Sequence, residues 1–146
     1  MILRAVGAPG IDFSAFQDDF DLDKNRLPHE PPRNNFESVA AVVRAKYPLV
    51  NFEWTSFPKG DGAKKLAFVE GHLQKQRPLL LSLALAPFGG NGWHIMPVVD
   101  MDQDKLTLLR FVNANGMVDL QHVNKNDLVS IHDSFDGGHE VAYLRE

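Results

Sequence analysis

The 146-residue chain contains no cysteine. That absence excludes disulfides, thiolate metal sites and a thiol nucleophile supplied by this polypeptide. An excess of positive charge is also missing: 15 Lys and Arg against 19 Asp and Glu leave a net charge of −4. Nucleic acid is therefore not an expected partner, because phosphate-backbone binding needs a basic footprint. Long apolar runs are lacking too. The longest, Pro78 to Phe88, is interrupted by Ser82 and is far too short to cross a bilayer. The opening residues, MILRAVGAPGIDF, show neither the charged start nor the extended apolar core of a secretory signal. No repeat recurs along the chain. These absences predict a soluble, cytoplasmic protein with no membrane partner.

What remains is the composition of an ordinary globular domain, 44% hydrophobic and 23% charged. One domain of this length buries about two thirds of its extended surface. Residues 1–35 differ from the rest. Asp18, Asp19, Asp21 and Asp23 form an acidic cluster, and Pro28, Pro31 and Pro32 break any regular element. Ile11, Phe13, Phe16 and Phe20 predict an arm that wraps the domain, with disorder as the alternative.

Residues 36–146 read as a single α+β domain. Asn34 caps a first helix, Glu37 sits at the reciprocal capping position, and Phe36, Val39, Ala40 and Val43 share one stripe. Pro48 ends it. Val50, Phe52 and Trp54 then alternate with polar residues as a half-buried strand does. A second helix over 63–76, with Asp61 as a candidate cap, turns Leu66, Val69 and Leu73 inward and Lys64, Lys65, Glu70 and Lys75 mostly outward. Leu79 to Ala86 is nearly continuous apolar sequence, the mark of a strand covered on both faces. Strands over 93–101, 105–113 and 117–123, a short helix over 126–131 and a last strand over 140–144 complete the order.

A two-residue turn at Gln103-Asp104 would pair Asp102 with Lys105. Continued along the hairpin, that register sets Val98 against Leu109, Met96 against Phe111 and His94 against Asn113. Directly opposed side chains lie about 5 Å apart at Cβ, within reach of a hydrogen bond. An imidazole held by an amide keeps one tautomer, and its other nitrogen is free to take a proton. Gly89, Gly90 and Gly92, just before His94, permit close backbone approach. A satisfied strand histidine without catalysis carries the same spacing.

The succession RPLLLSLAL, a Gly-rich loop, GWHIMPVVDMD, a strand ending VNANG, and EVAYLRE resembles the papain-like cysteine peptidase superfamily. Its closest likeness is to the bacterial, bacteriocin-processing peptidases that cleave double-glycine leader peptides. The resemblance spans roughly residues 36–146 and implies a papain-like fold, with two or three N-terminal helices on a C-terminal antiparallel sheet. It also implies that His94 and Asn113 occupy the positions of the catalytic histidine and its orienting residue. Val99-Asp100 and Ala114 depart from the family pattern. The Gln and Cys-Gly-Pro that open the family's first helix have no counterpart, since Gln17-Asp18-Asp19 leads to a proline-rich stretch.

The expected function is a papain-like, peptidase-like pseudoenzyme that binds a peptide or protein without cleaving it. Two alternatives stay open. One is the His–Asn half of a thiol hydrolase whose cysteine comes from another chain; the other is a structural or interaction domain with superficial peptidase likeness. An incomplete N-terminal half would leave apolar surface and favour a homodimer. Ser38 reads as a helix-start residue rather than a substitute nucleophile. His132, Asp133, Asp136 and His139 cluster without any established metal-ligand spacing, and no metal or cofactor is expected. His29, His72 and His122 read as solvated surface residues.

Overall fold

The computed structural model describes residues 36–112 and 117–145. The arm over 1–35, the Asn34 cap, Asn113 and the Asn115-Gly116 turn lie outside the described residues.

Among the described residues, three α-helices and six strands follow in the order α1 (Phe36–Lys46), β1 (Phe52–Ser56), α2 (Gly62–Gln74), β2 (Leu79–Ala84), β3 (Trp93–Met101), β4 (Lys105–Val112), β5 (Val118–Asn124), α3 (Lys125–Ser134) and β6 (Glu140–Leu144). A short 3-10 turn, Ala86–Phe88, joins β2 to β3. The strands make one sheet in the order β1-β6-β2-β3-β4-β5, with every described pairing antiparallel. The molecule is α+β.

Sequence dictates which strands are central. Residues of β2 are almost all buried because β6 and β3 flank it and helices cover both faces. On one face α2 and α3 bury Val69, Leu128 and Ile131 against Leu79, Leu81, Leu83, Met96, Leu106, Leu108 and Val141. On the other, Phe36, Ala40 and Val43 of α1 pack on Phe52 and Ala142, with Trp54, Leu80 and Ile95 around them. Each fully buried leucine of this kind contributes about 1.5–3 kcal/mol.

The hairpin between β3 and β4 corrects the sequence-based register. Met101 pairs with Leu106 and Asp100 with Thr107, as expected, but Val98 faces Leu108 rather than Leu109. The cause is a bulge at Val99. Val98 and Met101 lie three apart, and a regular strand would turn one of them outward. One extra residue keeps Val98 and Met101 on the core side and leaves Val99 51% exposed. A second irregularity, at Arg110, shifts β4 against β5. The turn itself forms as expected: Asp102 N donates to Lys105 O, and Asp102 Oδ1 accepts from Asp104 N and Lys105 N at 2.8 and 2.7 Å. Those two bonds hold the Asp102 carboxyl below its ordinary range.

The third helix runs Lys125–Ser134, longer than the expected 126–131, because Ile131 and His132 are buried and carry the apolar face onward.

Candidate functional site

His94 stands one residue into β3, paired with Leu83 of β2. Its side chain is exposed and makes no hydrogen bond with another described residue. The connection that delivers it is compact. Leu85 N donates to Gly92 O, and Phe88 N and Gly90 N both donate to Leu85 O, which closes residues 85–92 into a tight loop. Gly92 has φ +68°, in the left-handed region that costs glycine nothing, and so turns the chain into β3. Trp93, 41% exposed, sits beside His94 at the tip of the strand. Asn113, its expected partner, lies outside the described residues, so the described geometry at this site is that of His94, Trp93 and their loop.

Open grooves of about 430 and 380 Å³ lie among the described residues. The larger is lined by Phe88, Lys105, His122, Asn124, Asp127 and Ser130, the smaller by Leu73, Arg77, Val99 and Asp100. His94 lines neither.

A second concentration of polar chemistry is buried where α2, α3 and the turns over 57–61 and 135–139 meet. Lys65, expected on the outer face of α2, is 0% exposed. A lysine at the edge of an apolar helical stripe reads as solvated, but α2 carries this one against the sheet. Here its ammonium donates to the backbone oxygens of Ser82 (2.7 Å) and Gly138. Burial lowers its pKa from 10.5 to about 7, against which Glu140 acts in the opposite sense.

The four residues read from sequence as a polar cluster each have a local task. His132, 1% exposed, donates from Nε2 to Pro58 O at 2.9 Å, and its Nδ1 is buried with no hydrogen-bond partner among the described residues. Asp133 Oδ1 accepts from Gly60 N at 3.1 Å and Gly62 N at 2.9 Å. His139 Nε2 donates to Phe135 O at 2.8 Å and His132 O at 3.2 Å, its ring 4.4 Å from that of His132. Asp136 pairs with Lys59 at 2.7 Å, which depresses its carboxyl. Among the described residues no three His, Asp or Glu side chains converge as a metal site would require.

His72, expected to be solvated, is half-buried instead. Its ring lies 4.3 Å from Phe68 and 4.9 Å from Tyr143, and Nδ1 donates to Phe68 O. His122 is exposed as expected and bonds Thr107 Oγ1 across the strand pair at 3.1 Å. Among the described residues, no helix is long and apolar enough to cross a membrane. The sequence matches no family model, and neither a curated protein nor a solved structure matches it significantly.

Proposed function

We propose that the chain is a papain-like, peptidase-like domain without a nucleophile, and that it holds a peptide or protein segment at the tip of β3. The observation that carries this reading is the exposed His94, next to Trp93, at the end of a tight glycine-containing loop in a chain without cysteine. Order supports it as well: apolar strand, loop, histidine strand, two further antiparallel strands, helix and closing strand follow the succession on which the resemblance rests. The exposed imidazole offers a hydrogen-bonding group to an extended peptide, and the Trp93 indole, on the opposite face of the strand, an apolar edge at the same tip. Asn113 serves in this reading as the residue that orients the imidazole.

The test is a titration of the isotope-labelled chain with a library of extended peptides, including double-glycine leader sequences, followed at the Trp93 indole and His94 ring resonances. Binding should perturb both signals, and His94→Ala should weaken it at least tenfold without changing the fold. A chain whose β3 tip responds to no peptide would sink the proposal.

A further inference from the structure

We propose that His132 and Lys65 form a proton-gated latch that fastens the turns over 57–61 and 135–139 to the sheet and regulates the β3 tip. His132 holds one side through Pro58 O, and Lys65 holds the other through Gly138 O. Phe57 N donates to His139 O between them, and Asp133 ties in Gly60 and Gly62. Four segments are therefore cross-linked around two buried, basic side chains.

The arrangement accepts a neutral His132 and opposes a charged one. A neutral ring with its proton on Nε2 satisfies Pro58 and leaves only a lone pair at the buried, unpartnered Nδ1. Protonation would place a second N–H there without an acceptor. The surrounding charges also disfavour it. Lys65 on α2 and His139 after α3 both repel a second cation, while Asp133 attracts it with a carboxylate already engaged by two amides. Glu140, Asp136 and Lys59 complete the ionisable surroundings, Glu140 acting on Lys65 and Asp136 paired with Lys59. Burial, the largest cause, holds His132 below its ordinary pKa. The penalty is thus absent above about pH 6.5 and grows as acid drives the ring toward protonation.

Release reaches the β3 tip through two glycines. A Cβ added at Gly137 would lie 2.6 Å from Cδ1 of Trp93, and one at Gly138 would lie 2.6 Å from the backbone nitrogen of Ala84. The 137–138 turn thus supports Trp93 and the end of β2 directly. This consequence for binding rests on the reading of the β3 tip as the peptide site; the latch itself does not.

Hydrogen exchange of the full chain, resolved by NMR at pH 7.5 and 5.5 and corrected for intrinsic rates, tests the latch. The Phe57 and Gly62 amides should lose protection as the pH falls below about 6.5, by up to about tenfold at pH 5.5, while the β4–β5 ladder keeps its own. His132→Gln, a neutral donor, should shrink that difference to the part that Lys65, titrating near 7 in the fold, contributes. Equal loss across all amides, or an unchanged difference in His132→Gln, would overturn the proposal. Should that variant fail to fold, the ring titration of His132 in the native chain decides: a midpoint at or above the ordinary imidazole value of about 6.5 overturns it. If peptides bind with equal strength at both pH values while Phe57 and Gly62 open, the latch stands and its control of the site falls.

Discussion

The carboxylate of Asp133, near the end of α3, caps the start of α2 by accepting the amide of Gly62 at 2.9 Å. Asp61 occupies the N-cap position yet makes no side-chain cap bond; its carboxylate pairs instead with Lys64. The cap is therefore tertiary, and it joins two helices that are far apart in sequence. Removing it with Asp133→Ala should lower stability by about 1–2 kcal/mol, the usual cost of a lost helix cap. Urea denaturation at neutral pH measures this, whereas Asp61→Ala should cost clearly less.

Gly62 permits the close approach of α2 and α3. A Cβ there would lie 2.7 Å from Val129 O and 2.9 Å from Asp133 Oδ1. Although alanine is the better helix former, Gly62→Ala is expected to destabilise the fold, with a lower melting temperature. A neutral or stabilising outcome would show that the helices separate freely.

Lys65 makes stability depend on alkaline pH. In the unfolded chain the amine titrates near 10.5, and in the fold near 7. Between those values the unfolded state binds the extra proton, so stability rises with pH across the window. One such group gives a slope of at most about 1.4 kcal/mol per pH unit. Denaturation series from pH 7 to 10 should show the rise in the native chain and lose it in Lys65→Met.

The bulge at Val99 separates two neighbouring valines. Val98 is 8% exposed and Val99 51%. Val98→Ser should therefore cost about 2 kcal/mol or more through lost burial and an unpartnered hydroxyl. Val99→Ser should stay within about 0.5 kcal/mol. Deletion of Val99 removes the extra residue and leaves Val98 and Met101 two apart on one face of a regular strand, paired with Leu108 and Leu106; the expected outcome is a chain that still folds cooperatively.

At the centre of the sheet, Leu81 is fully buried between Val141 of β6 and Met96 of β3. Leu81→Ala is expected to cost about 2–5 kcal/mol in chemical denaturation.

Period and punctuation carried most of the fold into the sequence. The strand over Trp93–Met101 and that over Glu140–Leu144 are bounded as their alternation and flanking turns indicate, and Leu79–Ala84 is central as its unbroken apolar run implies. Bulges were not legible, because pairing one turn outward says nothing about where an extra residue is absorbed. Residue type points Lys65 and His72 to the surface, and both are drawn inward by partners distant in sequence: the carbonyls of Ser82 and Gly138 for one, the Tyr143 ring for the other. The tertiary cap from Asp133 had a faint signal in its proximity to glycines over 60–62 only after folding. His94 was identifiable as a strand residue following a glycine loop, and its exposure at a strand tip is the feature that pattern alone left undetermined.

The chain holds two tryptophans, and the fold sends them to different neighbourhoods: Trp54 packs with α1, Trp93 sits against Gly137 at the β3 tip. Each indole is thus a built-in fluorophore for one district of the molecule. A Trp54→Phe chain would emit only from the tip and a Trp93→Phe chain only from beneath α1. Separate quenching curves would then report, without any added dye, whether the two districts loosen together or in turn.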